Sequence, residues 1–330
     1  MTNATIHSTT SIEAGNQEIA PLQNLQRNPR GGKPEGERAD VYTIVTDRIL
    51  ELLEQGVIPW KKPWRAGKFY WPMNLVSGKE YTGINAFLLA MTSFESPYFL
   101  TYKQARDMGG SVRKGAKGFP IIYCNKHTSD TKNEATGEKE SKSYSFLKYF
   151  TVFNIEQTEG IEAPTIETPA PVITFSPIEE CERIASGYRG APEVTHHQQR
   201  ACYYPTQDLI NMPKKDSFDS EAEYYGALFH EMTHSTGHQT RLGREGITEG
   251  NTFGDESYSK EELIAEMGAA FLCAHANIAP ATLTNSAAYI GGWLKQLRND
   301  KKLVIQAASA AQKAANHILG PSTTESTEEG

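Results

Sequence analysis

The sequence predicts an α+β protein of two domains, an α+β domain followed by a mainly helical one. Three observations predict it. The chain has 330 residues, beyond the roughly 100–200 of a usual single domain. Its charge reverses midway: residues 42–150 hold 16 Lys/Arg against 10 Asp/Glu, and residues 151–330 hold 13 against 25. Between the two halves, residues 156–175 (EQTEGIEAPTIETPAPVITF) are rich in proline and glutamate, the composition of a linker.

The elements follow in chain order. Residues 1–37 are polar, glycine-containing and without apolar periodicity, which predicts a disordered arm. In residues 40–55, Val41, Ile44, Val45, Ile49, Leu52 and Leu53 fall on one face of a helix that Gly56 stops. Residues 84–91 (INAFLLAM) suit a buried helix and residues 102–108 a short second one. Residues 121–123 and 147–154 suit strands, and the polar residues 126–143 between them read as a hairpin loop. These elements make an α+β domain over residues 38–155. In a second domain, over 176–320, residues 177–187 read as a helix, and 201–204 and 208–212 as two short strands around Pro205. Long helices are expected near 218–236, 259–276 and 286–318. Residues 321–330 form an acidic tail expected to be disordered.

No run of 18 apolar residues occurs, so no membrane partner is expected. The first residues lack a basic stretch followed by an apolar one, so a secretory signal is not expected. The four cysteines, Cys124, Cys181, Cys202 and Cys273, form no CxxC pair, which reads as free thiols in a reducing cytoplasm.

The second domain carries His230-Glu231-Met232-Thr233-His234 within a helical stretch. Two histidines four apart lie one turn apart on one helix face, where both imidazoles can reach one ion. Glu231, beside the first, is placed to act as general base on a water activated by that ion. The apolar residues before the motif (Tyr225, Ala227, Leu228, Phe229) put it in a buried element. A catalytic zinc needs a third protein ligand and one open position. The next helix offers Glu261, Glu262 and Glu266. Glu262 and Glu266 share an apolar face with Ala269, Ala270 and Cys273, where a carboxylate is costly unless paired or bound to metal. Glu262 is the expected third ligand and Glu266 the expected hydrogen-bond partner of a ligating histidine, with the reverse assignment open; Glu261 is expected to be solvated. His238, beyond the helix-breaking Gly237, is expected to support the site or contact substrate; as a fourth ligand it would make the metal structural. Two histidines and a glutamate favour Zn2+ and leave Mn2+ possible. Together these residues predict a zinc-dependent hydrolase, most simply a metallopeptidase whose protein substrate the sequence does not name. The strand at 201–204 is placed to pair with an extended substrate.

The first domain is basic and aromatic. Residues 60–126 contain 11 Lys/Arg, three acids and 13 aromatics. Trp60, Lys61, Lys62, Trp64 and Arg65 alternate flat rings and cations around two prolines, the chemistry that single-stranded nucleic acid takes. A second basic cluster is Arg113, Lys114 and Lys117, spaced by Gly115 and Gly118; Lys103 lies nearby in sequence. No signature of a groove-reading helix or zinc finger occurs, which disfavours sequence-specific duplex reading.

Both halves resemble one family. Asp40-Val41-Tyr42, Leu53-Glu54-Gln55-Gly56-Val57-Ile58-Pro59-Trp60, Pro63-Trp64, Tyr81-Thr82-Gly83-Ile84-Asn85, Thr101-Tyr102-Lys103-Gln104-Ala105 and Val112-Arg113-Lys114-Gly115 resemble the single-stranded-DNA-binding domain of ArdC-type antirestriction proteins, also found in TraC-like primases. The stretches from His230 to His238 and from Glu261 to Glu266 resemble the zincin-like metallopeptidase domain fused to it. The Glu-x-x-Ala-Glu-x-x-Ala order is similar to the second helix of gluzincin peptidases, in which the first acid binds zinc. The resemblance covers about residues 40–320; Ser235 stands where the family often has an aromatic. It implies a protein of mobile elements that binds incoming single-stranded plasmid DNA during conjugation, protects it from restriction, and acts in the bacterial cytoplasm.

Overall fold

A computed structural model describes residues 40–60, 71–92, 94–132, 139–164, 177–248, 256–278 and 286–321. The disordered arm and tail expected at 1–37 and 321–330 lie outside the described residues apart from Pro321.

The N-terminal domain opens with helix α1 (Val41–Glu54), whose buried residues include Val45, Ile49, Leu52 and Leu53, the expected stripe. Strand β1 (Met73–Asn74), helix α2 (Ile84–Ala90) and strand β2 (Tyr98–Thr101) follow. Helix α3 (Tyr102–Asp107) starts in a reciprocal cap: Gln104 N donates to Thr101 Oγ1, and the Gln104 side chain accepts from Thr101 N. Strands β3 (Ser111–Val112), β4 (Phe119–Lys132), β5 (Lys139–Asn154) and β6 (Thr158–Glu159) complete the domain. One sheet has the order β1-β2-β5-β4, with β1–β2 parallel and the rest antiparallel, and β3 pairs with β6. The outer strand β4 is capped laterally by Asn85, whose carboxamide exchanges two 2.7 Å hydrogen bonds with the backbone of Ile122.

Two expectations change here. The hairpin loop expected at 126–143 is mostly strand: the β4–β5 ladder runs pair by pair from Phe119↔Val152 to Lys132↔Lys139. A backbone ladder needs no apolar side chains, so a polar ribbon carries no periodic signal. The start of the expected linker is also structured, as a 3-10 turn at Ile155–Gln157 capped by Asn154, leading into β6. Residues 165–175 of that linker lie outside the described residues.

The C-terminal domain contains α4 (Pro177–Gly187), strands β7 (Glu193–Thr195), β8 (Cys202–Tyr204) and β9 (Leu209–Asn211), then α5 (Glu221–Ser235), α6 (Glu245–Thr248), α7 (Glu256–His275), α8 (Ser286–Asn299) and α9 (Leu303–Leu319). The small sheet has the order β7-β9-β8, leaving β8 at an edge. The single helix expected over 286–318 is two. Asp300 accepts from Lys302 N at 2.8 Å, and this side-chain turn interrupts the ladder. Among the described residues no helix is long and apolar enough to cross a membrane, and Cys181, Cys202 and Cys273 are free thiols.

Helix α7 is the centre of the fold. Its residues 261–274 are all buried, with α5, α9, α8 and α6 packed around it. Alanines 307, 308, 311, 314 and 315 give α9 a low, smooth surface for that packing. Gly268 sets the approach of α5, since a Cβ there would lie 2.5 Å from Thr233 Cγ2. The two domains also share one apolar core. Phe87 and Trp71 stack on Phe271 of α7, at 4.5 and 5.9 Å between ring centroids, and Trp60 meets Trp293 of α8 edge-on at 5.2 Å. Thr46 Oγ1 donates to Lys301 O at 2.7 Å, and Gly83 N to Gln312 Oε1 at 3.1 Å.

Candidate metal centre

Helix α5 begins at Ser220, whose hydroxyl accepts from Glu223 N, with Glu221 and Glu223 stabilised in its positive first turn. Its last two turns bring His230 and His234 to the face that meets α7. Their Nε2 atoms lie 3.1 Å apart. Glu262 faces both, with Oε2 3.6 Å from His230 Nε2 and Oε1 3.5 Å from His234 Nε2. All three donor atoms fall within 4.8 Å of one another, the one such group among the described residues.

The opposite ring nitrogens face carboxylates. His234 Nδ1 is 3.4 Å from Glu261 Oε1, and His230 Nδ1 is 3.7 Å from Glu266 Oε1. A carboxylate on Nδ1 favours the proton there and leaves Nε2 as a bare lone pair. Two such lone pairs at 3.1 Å repel unless a proton or a metal ion lies between them. Ligands about 2.1 Å from a tetrahedral zinc are roughly 3.3–3.5 Å apart, close to the spacing found.

The charge balance points the same way. Glu231, Glu261, Glu262 and Glu266 are 8, 4, 8 and 6% exposed, and Arg244 pairs with Glu261 at 2.5 Å. Buried carboxylates need cationic or hydrogen-bond partners. Burial disfavours charge on the imidazoles, yet Glu262 raises His230, and Glu261 with Glu262 holds His234 up to about 10. Burial likewise works against ionised Glu262, but its bonds to the two histidines keep it far below the usual carboxylate range. Two imidazoles and a carboxylate converging in a buried site suit a divalent cation, and the residues present fit one.

Glu261 corrects the sequence reading. It was expected in solvent, but residues 261–274 of α7 are buried all round, so the polar residues among them are buried as well. Glu261 is therefore the residue that periodicity missed; the cue was a second acid beside Glu262 with no solvated face to occupy. His238 lies past the helix end, where its Nδ1 bonds Thr240 Oγ1 at 2.8 Å, and as expected it is outside the three-donor group. Gly237 precedes it where a side chain has no room, since a Cβ there would lie 2.5 Å from Ile247 Cγ1.

The basic half is less unified. Trp60, expected as a stacking platform, is 0% exposed and packed on Trp293, because the core shared between the domains claims it. Lys61, Lys62, Trp64 and Arg65 lie outside the described residues. Lys103, Arg113, Lys114 and Lys117 are exposed. Gly115 has φ +86°, the left-handed region, which lets the loop between Arg113 and Lys117 turn. The sequence reading overlooked the exposed rings: Tyr102, Tyr123, Tyr149 and Phe150. Tyr123 and Phe150 meet edge-on at 6.4 Å on the hairpin, where Lys148 is the register partner of Tyr123.

Comparison with known proteins joins the two regions. Residues 39–153 match the N-terminal domain of the anti-restriction factor ArdC, and residues 181–310 match the zincin-like metallopeptidase family. DNA primase TraC of Escherichia coli is 35% identical over 290 residues, 83% of this chain but 26% of TraC, so the chain spans about a quarter of that relative. The uncharacterized protein y4eC of Sinorhizobium fredii is 29% identical, over 84% of this chain and 91% of its own. The crystal structure of the antirestriction protein ArdC from plasmid R388 is similar in its metal-free form (TM-score 0.64, 38% identity, 84% of this chain and 96% of that one). Its Mn(II)-bound form is equally similar (TM-score 0.65, 36% identity, 84% and 97%).

Proposed function

This chain belongs to the ArdC family of antirestriction proteins, and from that premise we propose that it binds single-stranded DNA without sequence preference through its N-terminal domain and hydrolyses peptide bonds at the α5–α7 metal centre. Its role would be to protect incoming conjugative plasmid DNA in the bacterial cytoplasm.

The observation that carries the peptidase reading is the convergence of two imidazole Nε2 atoms and one carboxylate beside the buried Glu231. His230, His234 and Glu262 would hold the ion. A bound zinc ion supplies Lewis-acid polarisation of a carbonyl and an acidified water. Glu231 takes the proton from the attacking water and returns it to the leaving amine. The edge strand β8, which packs beside α5, offers its free backbone groups to an extended substrate. Three protein donors leave a coordination position open, as catalysis needs and a structural site does not. Zinc suits this donor set, and the Mn(II)-bound relative makes manganese the competing metal. The test is peptide cleavage by the full chain after chelation and after Zn(II) or Mn(II) is restored. Cleavage that survives complete metal removal would reject the reading. A chain that binds metal and single strands but cleaves nothing would leave the alternative, a DNA-binding protein with a structural or partner-binding metal domain.

For DNA, exposed cations at Lys103, Arg113, Lys114 and Lys117 supply phosphate contacts, and Tyr123, Tyr149 and Phe150 supply faces for bases. Labelled oligothymidine anisotropy over a salt series tests this. Affinity that is flat with ionic strength would contradict it.

A further inference from the structure

We infer that Glu261, held in place by Arg244, is a positioning residue for the metal centre that fixes the tautomer and orientation of His234. The inference rests on the metal reading above and goes beyond it, since it assigns a role to two residues outside the donor set.

The geometry carries it. Both Glu261 oxygens are engaged by one guanidinium: Arg244 Nη2 is 2.5 Å from Oε1, and Arg244 Nε is 3.0 Å from Oε2. Oε1 also faces His234 Nδ1 at 3.4 Å. The same arginine donates to Thr236 Oγ1 at 2.6 Å and to Thr233 O at 2.8 Å. It thus ties the last turn of α5, which carries His234, to the α7 residue preceding Glu262. Arg244 is fixed in turn, because its own N–H donates to Gly237 O at 2.9 Å.

Three consequences follow for His234. An ionised carboxylate only accepts, so the ring proton is kept on Nδ1 and the Nε2 lone pair is presented to the donor triangle. The fork-on-fork pairing prevents Glu261 from rotating away. An ion pair serving structure alone would need only Arg244 and Glu261; sharing one oxygen between the guanidinium and the imidazole links the pair to the ligand. His230 has a looser arrangement, with Glu266 3.7 Å away, so His234 is the better defined of the two ligands before metal arrives.

The experiment measures the Zn(II) dissociation constant of the full chain by competition with a chromophoric chelator, alongside Tm. Glu261→Ala is expected to weaken Zn(II) binding by about 10- to 100-fold, the usual effect of losing a carboxylate behind a histidine ligand. Glu261→Gln keeps one acceptor oxygen for Nδ1–H and is expected to lose less than about tenfold. Glu261→Ala also leaves Arg244 buried without its partner, and this variant could fail to fold. Glu261→Ala/Arg244→Met removes both charges and carries the same expected loss. Zn(II) affinity within about threefold of the wild type in a folded alanine variant, with only Tm lowered, would overturn the inference, as would a glutamine variant as weak as the alanine one. A wild-type chain that takes up neither Zn(II) nor Mn(II) would overturn the metal reading itself and is recognised without any variant.

Discussion

The metal centre and the basic N-terminal surface are made in opposite ways. At the metal centre, polar groups are drawn out of water, and each is answered by another: imidazole by carboxylate, carboxylate by guanidinium. On the N-terminal surface, rings and cations stay in solvent, and a neighbour such as Glu159, 3.7 Å from Arg113 across an exposed pair, contributes little. The difference teaches where sequence patterns carry meaning. Burying charge is costly enough that a spacing such as His230/His234 followed by Glu262 needs a reason. Exposed lysines and aromatics cost almost nothing, so composition alone does not say which ring faces water.

The largest expected effect sharpens the buried side of the comparison. Glu231→Gln keeps the size of the side chain but cannot take a proton. Peptide cleavage should fall by about 10²–10⁴-fold, while Zn(II) affinity stays near that of the wild type, because Glu231 is outside the donor triangle. Equal losses of metal and of activity would make Glu231 a ligand or a structural residue.

Trp60 is the sharpest test on the other side. By sequence it belongs with DNA; by structure it belongs to the core. Trp60→Ala should cost about 3–5 kcal/mol of stability, read as a lower urea midpoint. The milder Trp60→Phe should leave oligothymidine affinity unchanged in anisotropy. A loss of DNA affinity in a stably folded Trp60→Phe chain would restore the stacking role.

These two residues show how much was legible. The α1, α2, α3, α4, α5 and α7 positions followed from apolar spacing, and the convergence of His230, His234 and Glu262 from helical spacing and the cost of a buried carboxylate. Three features were hidden for physical reasons. The polar β4–β5 ribbon is held by backbone bonds. The break between α8 and α9 is marked by an Asp300 side-chain turn rather than by a glycine or proline. Glu261 is inward because residues 261–274 of α7 are enclosed on every face, a fact of tertiary packing rather than of helical period.

A third prediction concerns how the centre is assembled. Gly268→Ala would push a methyl into Thr233, costing about 1–3 kcal/mol as overpacking does. Zn(II) affinity should fall with it as α5 and α7 part. Thr233→Ala removes both atoms that a Cβ would meet most closely, so the double variant should recover part of both losses. Strict additivity in that cycle would show that the two positions do not touch in solution.

The exposed rings should give an effect of similar or smaller size. Tyr123→Ala and Phe150→Ala should each weaken oligothymidine binding by about 1–3 kcal/mol if each ring stacks a base, with no change in Zn(II) affinity or Tm. If both variants bind like the wild type while the salt slope persists, the cations alone form the contact.

The smallest expected effect lies beside the centre, in the Asp208–Arg241 pair. Arg241 bonds both oxygens of Asp208 and also Ser235 O at the end of α5. Its hydrogen bonds outweigh burial and hold the Asp208 carboxyl below its ordinary value. A depressed folded-state pKa means the unfolded chain binds a proton first as pH falls. The contribution of the pair is therefore full above the unfolded aspartate value and is lost as pH drops through the folded one. Urea midpoints measured from pH 7 down to pH 3 should fall more steeply for the wild type than for Asp208→Asn. Parallel curves would show that Asp208 titrates alike folded and unfolded, and that the loop after α5 is held by its backbone bonds alone.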